Sequence, residues 1–339
     1  MEFVRFKWVL ALTVFSLFLV ACQETSTSAT SDDGELEVET LKYLGGAGTV
    51  SYWELAEDLG YLEPLQLEWV GNTTSGPENI QATVTGSIDF GGAFNGAIVK
   101  LVEAGAPITS VIGYYGVDDE TWTGYFVLED SPIQEAKDLI GKKIGVNTLG
   151  AHHEFAIVEY LRQEGLTEEE IEQVSLVVIP PVNGEQSLRS GQLDVATLSG
   201  ILQDVALERG GVRPLFTDRD LFGNFTAGSL VFRDDFIQDN PNTVKKFVEG
   251  MAKAIEWARE TPVEEVRERM VSIIEKRDRN EDTNLVQYWK SVGIEGAGGQ
   301  ILESEFQVWI EWLEHDGFLN KGDIEAKGIY TNEFNPYGE

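Results

Sequence analysis

The amino-acid sequence predicts an α/β protein of two similar lobes, each a mostly parallel sheet flanked by helices, with a cleft between them. Three observations carry the prediction. One structural pattern occurs twice, starting near Lys42 and again near Lys142. Strand-like segments alternate with helical ones, the pattern of parallel sheets built from βαβ units. The length of 339 residues suits two domains.

The first copy opens with an apolar strand at 41–44, a glycine loop (Gly45, Gly46, Gly48) and a helix stopped at Gly60. A second strand at 65–70 leads to Gly-x-x-Asp at 86–89, a short strand and the small-residue turn Ala93-Phe94-Asn95-Gly96. The second copy keeps that order. It has a strand at 143–146, a loop at 148–150, a helix stopped at Gly165, a strand at 174–179, Gly-x-x-Asp at 191–194 and the turn Leu198-Ser199-Gly200.

Between the copies, apolar segments at 111–114 and 125–128 flank Asp118, Asp119, Glu120 and Trp122, so the chain is expected to cross there between lobes. Ser131 as cap, Pro132 at the first helical position and Gln134 three residues after the cap predict a helix. Residues 228–232 predict a strand returning beside 125–128. From Asn240 and Pro241 onward, Val244, Phe247, Val248, Met251, Ile255 and Ala258 recur at helical spacing. Further helices are predicted at 263–275 and 303–314, the latter with Phe306, Trp309, Ile310 and Leu313 on one face. No third copy exists for these helices to join, so they are expected to pack back on lobe one. The predicted organisation is lobe one at 38–122 and 227–339, lobe two at 123–226, and a hinge of two or three crossing strands.

Residues 1–21 have a short basic start (Arg5, Lys7) and an apolar run from 8 to 20 broken only by Thr13 and Ser16. They end in Leu19-Val20-Ala21-Cys22, which reads as a lipoprotein signal peptide closing on a lipobox. Cys22, the only cysteine, is expected to carry the lipid, which leaves no disulfide, no Cys-ligated metal and no cysteine nucleophile. Residues 22–37, rich in Ser, Thr, Asp and Glu, are expected to be a disordered tether. The expected location is extracytoplasmic, anchored to the cell membrane by that N-terminal lipid.

With 25 basic against 58 acidic residues the formal charge is −33, which argues against nucleic acid and anionic lipid as partners. The acids are spread along predicted helix surfaces, as in Thr167-Glu168-Glu169-Glu170, and read as a solvated coat.

Three segments together resemble a known family. They are Gly86-Ser87-Ile88-Asp89-Phe90-Gly91, the run from Asp130-Ser131-Pro132-Ile133 through Asp138-Leu139-Ile140-Gly141-Lys142-Lys143-Ile144-Gly145-Val146, and Ser190-Gly191-Gln192-Leu193-Asp194. In order and spacing they are similar to signature segments of ABC-importer solute-binding proteins, within the SsuA/THI5-like group of sulfonate, nitrate, taurine and thiamine-pyrimidine relatives. The resemblance implies a periplasmic binding protein type II fold that closes over one small solute. It also implies delivery to an ABC permease and its ATPase, by a monomer that needs no cofactor.

Loops after strand ends present unpaired N–H groups at helix N-termini, a site for anionic oxygens. Four turns are expected at the cleft: Gly46 with Thr49, Phe94 with Asn95, Thr148 with Gly150 and His152, and Ser199. Phe94 and Trp122 are candidates to stack on a flat solute, and Asn72, Thr73 and Thr74 to hydrogen-bond it. His152 and His153 are adjacent and so do not converge on one ion, and no metal site is expected. His152 is instead a candidate donor at a helix start. No Lys or Arg lies in the cleft turns, whereas Glu54, Asp118, Asp119, Glu154 and Asp204 offer places for an amino group. The turn Gly150-Ala151-His152 lacks the hydroxyls that sulfonate-binding relatives carry there, which leaves a neutral or zwitterionic heterocycle as open as an oxyanion.

Two other readings remain at this point. A sensory lipoprotein signalling to a membrane partner would use the same closure. An enzyme related to thiamine-pyrimidine synthesis would need the histidine and cysteine-rich segment that such relatives use, but Cys22 is the sole cysteine and no Ser/His/Asp order or phosphate-loop lysine appears. Binding without catalysis is the expectation.

Overall fold

In the computed structural model, residues 34–73 and 75–338 are described. The expected signal peptide at 1–21, the expected lipidation site Cys22, the expected tether up to residue 33, and Thr74 lie outside the described residues. The first copy contains β1 (Thr40–Gly45), α1 (Tyr52–Asp58), β2 (Gln66–Asn72), α2 (Gly76–Val84), β3 (Phe90–Phe94), α3 (Asn95–Glu103) and β4 (Ile108–Val117). The second contains β5 (Thr123–Leu128), β6 (Lys143–Val146), α4 (His152–Gln163), α5 (Glu168–Ile171), β7 (Ser175–Val178), α6 (Gly184–Arg189), β8 (Val195–Ser199), α7 (Gly200–Arg209) and β9 (Val212–Thr217). After α8 (Asp218–Phe222) come β10 (Phe225–Arg233), α9 (Asp234–Asp239), α10 (Pro241–Glu260), α11 (Val263–Lys276) and α12 (Ser304–His315).

The repeat is structural as well as sequential. Asp89 donates its backbone N–H to the Lys42 carbonyl and accepts the Lys42 N–H on Oδ2 at 2.7 Å, which sets β3 beside the parallel pair β1–β2. Asp194 makes the same two bonds to Lys143, the second at 2.9 Å, where β8 meets β6. Gly86 and Gly191 precede these aspartates at φ 72° and 73°, a conformation that a Cβ disfavours. This is why Gly-x-x-Asp occurs in both copies.

One sheet runs β7-β6-β8-β5-β9, and the other lobe places β3-β10-β4 beside β1–β2. In each, the fourth strand is antiparallel to its neighbours and has just arrived from the opposite lobe: β5 on one side, β10 on the other. The sheets are therefore mixed. Residues 228–232 do form a strand, but it pairs with β3 and β4 and not beside 125–128 as the sequence suggested. Eight of the nine residues of β10 are buried, as befits a central strand covered on both faces.

The connections between sheets also differ from expectation. β4 ends at Val117 and β5 starts at Thr123, while the return passes through α8, so a loop and a short helix make the crossings that strands were expected to make. The helix expected after Ser131 is absent. Ser131 instead accepts the Ile133 N–H on its hydroxyl, and the Asp138 carboxylate takes the Gln134 and Glu135 N–H groups, which leaves a single 3-10 turn at Ala136–Leu139.

Helix α10 buries the anticipated stripe: Val244, Phe247, Met251 and Ile255 are all inaccessible, each contributing roughly 1.5–3 kcal/mol relative to exposure. With α11 it completes a core containing Leu41, Tyr43, Phe90 and Phe232. Residue 37, expected to belong to a disordered tether, is instead docked here: Glu37 Oε2 accepts the Thr243 N–H at 3.0 Å, satisfying a free donor at the start of α10. Helix α12 packs on α3, and its Trp312 ring lies 4.2 Å from that of Phe155 on α4.

Candidate functional site

A cavity of about 410 Å3 lies between the two sheets. One side supplies Gly76 and Pro77 at the start of α2, Phe94 at the end of β3, and Tyr114 and Tyr115 on β4. The other supplies Thr148, His152 and His153 at the start of α4, Thr197 on β8 and Ser199 before α7. No Asp, Glu, Lys or Arg lines it among the described residues. The first turns of α2, α4 and α7 reach its wall, and each brings N–H donors and the positive end of a helix dipole. The Tyr114 and Tyr115 phenols have their pKa values raised by burial, so they are neutral at any physiological pH. The wall is thus rich in donors, with no carboxylate, ammonium or guanidinium among its described residues.

The two crossings are tied to this wall. Asp118 in the first accepts Glu120 N–H, Thr121 N–H and Ser291 O–H on Oδ1 and Gly293 N–H on Oδ2. Asp218 in the second is 0 % exposed and accepts the Thr123 N–H at 2.8 Å, which joins the crossings to each other. Its other oxygen lies 3.3 Å from His152 Nε2, within ion-pair distance although not aligned as a hydrogen bond. The His152 ring stacks on Phe94 at 5.2 Å and 9°. One carboxylate therefore touches both the hinge region and the cavity histidine. Burial and the neighbouring His152 hold His153 at a pKa lowered to about 3, so its ring stays neutral.

The structure gathers Phe94, Trp122, Thr148, His152 and Ser199 around this cavity. Thr49 lines a second, smaller cavity, and Gly46 sits behind it, its carbonyl accepting the Thr49 hydroxyl at 3.3 Å. Three other candidates are engaged by the protein. Asn95 is wholly buried, donating to the Thr226 and Glu305 carbonyls and accepting the Ser229 hydroxyl at 2.8 Å, so it anchors α3 to β10 and α12. Asn72 is exposed and accepts the Trp69 indole N–H. The Gly150 N–H is taken by Glu154 Oε2 at 2.5 Å. Phe94 is largely committed too, with Trp309 4.6 Å away edge-on and only 4 % of its surface free.

Sequence reasoning missed Tyr114, Tyr115, Thr197 and the start of α2. Only the last left a signal: Ser75-Gly76-Pro77 is a helix-start pattern. Most of the acids near the cleft are likewise spent. Glu54 is 4 % exposed and bonds Tyr43, Arg277 and Arg279, while Asp119 pairs with Arg219.

The family model described as NMT1/THI5 like matches residues 55–265. The chain is 24 % identical over 297 residues, covering 83 % of it and 82 % of the relative, to the 4-amino-5-hydroxymethyl-2-methylpyrimidine phosphate synthase THI5 of Saccharomyces cerevisiae. Its fold matches the periplasmic aliphatic sulphonate binding protein SsuA of Escherichia coli at a TM-score of 0.65 and 19 % identity, over 86 % of this chain and 92 % of that one. It also matches the periplasmic nitrate-binding protein NrtA of Synechocystis at 0.67 and 15 %, over 89 % and 88 %.

Proposed function

The chain belongs to the NMT1/THI5-like family, and from that premise we propose that it is a lipid-anchored, extracytoplasmic solute-binding subunit of an ABC importer. It closes over a small planar or oxyanionic solute, of the sulfonate, nitrate, taurine or pyrimidine-like kind, and hands it to a permease driven by an ATPase. The observation that carries this reading is the inter-lobe cavity, where three helix N-termini converge and, among the described residues, no Asp, Glu, Lys or Arg side chain competes with the solute. Such a wall stabilises anionic oxygens through N–H groups alone. Two neighbours in fold are named for oxyanions, an aliphatic sulphonate and nitrate.

Closure is the working step. The solute touches loops of both lobes only in the closed form, so its binding energy shifts the population toward closure. The His152–Asp218 contact connects that event to the crossings. The chemistry is binding and release, since the sole cysteine, Cys22, is assigned to the lipid. Among the described residues no helix is long and apolar enough to cross a membrane, and the acyl group on Cys22 supplies the attachment.

A thermal-shift panel tests the reading with sulfonates, taurine, nitrate, bicarbonate, thiamine-pyrimidine precursors, riboflavin and amino acids. A ligand at 100 times its Kd adds about 2.7 kcal/mol, a shift of several degrees. A cooperative melt that no member moves refutes the solute class. Palmitate labelling lost in Cys22→Ala checks the anchor.

A further inference from the structure

A smaller cavity of about 220 Å3 adjoins the main one, with Thr121, Trp122 and Gly200 bordering both. Its walls include the rings of Trp122, Tyr288 and Trp289, and its charged and amide side chains are Glu120, Gln203, Asp204 and Lys290. Gln203 is 3 % exposed, and its Oε1 has no hydrogen-bond partner among the described residues. Asp204 accepts from Lys290 Nζ at 2.6 Å on Oδ1, while its Oδ2 is likewise without a partner.

A buried acceptor left without a donor is costly, and here two stand on successive residues of α7 that line one cavity. Glu54, Asp118 and Glu154 are hydrogen-bonded and Asp119 is ion-paired within the fold. Asp204 is held by a lysine on one oxygen only, so the other retains its lone pairs and part of its charge. Gln203 Oε1 and Asp204 Oδ2 are acceptors that the nearby Lys290, already donating to Asp204 Oδ1, does not satisfy; they suit a group rich in N–H bonds, and the aromatic walls suit a flat or apolar body to carry it.

We propose that this second compartment is a binding subsite for an amino or amidino group borne on an aromatic or apolar body, with Gln203 Oε1 and Asp204 Oδ2 accepting its N–H bonds. The proposal rests on the solute-receptor reading and extends it: the solute enters this compartment past Trp122 while its other end faces the helix N-termini of the main cavity. Asp204 belongs to α7, whereas Lys290 follows a segment packed in the core of the other lobe through Val286 and Trp289. A group bound here contacts both lobes and favours closure.

Calorimetric titration of the purified protein with 2-phenylethylamine, 2-phenylethanol and benzenesulfonate tests this in the wild type, Gln203→Ala and Asp204→Asn, with near-ultraviolet circular dichroism confirming each fold. The amine is expected to bind at least tenfold more tightly than the alcohol. Each substitution should weaken the amine about tenfold and leave benzenesulfonate, the main-cavity probe, within twofold. Absence of amine binding, equality with the alcohol, or indifference to both substitutions overturns the subsite. Should benzenesulfonate and the wider panel fail while the amine still responds to both substitutions, the subsite stands and the oxyanion reading of the main cavity falls.

Discussion

Asp218→Ala is the substitution whose consequence the structure specifies most fully. The residue is wholly buried, accepts the Thr123 N–H at 2.8 Å and lies 3.3 Å from His152 Nε2. Alanine removes a hydrogen bond to a charged acceptor, worth about 1.5–3 kcal/mol, and strands the Thr123 donor at a further 1–3 kcal/mol. Releasing a buried carboxylate that has one unaligned oxygen offsets part of this, giving a net loss of about 3 kcal/mol. At roughly 2.1 cal/mol/K per residue, a fold of this size loses about 5 °C in Tm. Asp218→Asn keeps an acceptor for Thr123 and places an amide beside His152, so it should remain within about 1 kcal/mol of the wild type. Calorimetric melts at neutral pH, with and without the best ligand of the panel, measure both. An alanine variant melting within 1 °C of the wild type, or an asparagine variant as damaged as alanine, would refute the claim that this carboxylate joins the crossings to the cavity.

Three further outcomes are expected. Glu54→Ala removes the only carboxylate paired with Arg279 among the described residues and one of the two paired with Arg277, at the β1–α1 junction where Glu54 is 4 % exposed, and urea unfolding should show a loss of about 3 kcal/mol. His153 has a pKa lowered from 6.5 to about 3. The unfolded chain alone binds that proton between these values, so stability is fully present above about pH 6.5 and declines as the pH falls toward 3. His153→Leu should flatten this slope by about 2 kcal/mol between pH 7.5 and 5, and equal slopes in the two proteins would contradict the assignment. Asp89→Ala and Asp194→Ala each remove a carboxylate that accepts a strand N–H at 2.7 and 2.9 Å. The repeat predicts matched losses of about 1 kcal/mol, and denaturation midpoints of the two variants that differ severalfold would break the equivalence.

Local signals made much of the fold legible. The strand–loop–helix order of both copies, the buried stripe of α10 and the apolar face of α12 all appear where residue periodicity and glycine positions placed them. The helix expected at Ser131 failed because a cap, a proline and a glutamine also suit a turn, and here the Asp138 carboxylate captured the same N–H groups. In the cavity, Phe94, Thr148, His152 and Ser199 were readable because repeat symmetry marks the ends of equivalent strands. Asn95 occupies an equally marked position, yet its amide is consumed by residues 131 to 210 positions away.

By itself the sequence determined the repeat, the element order, the charge and the sole cysteine, because these depend on backbone preference, burial periodicity and composition within a few turns of chain. The tertiary structure alone decided that β10 inserts between β3 and β4, that Asp218 reaches Thr123 95 residues away, and that Lys290 meets Asp204 across 86. Those partners are chosen by which buried donor finds which buried acceptor once the sheets have packed. The requirement is imposed by desolvation over the whole fold and leaves no periodic trace in the chain.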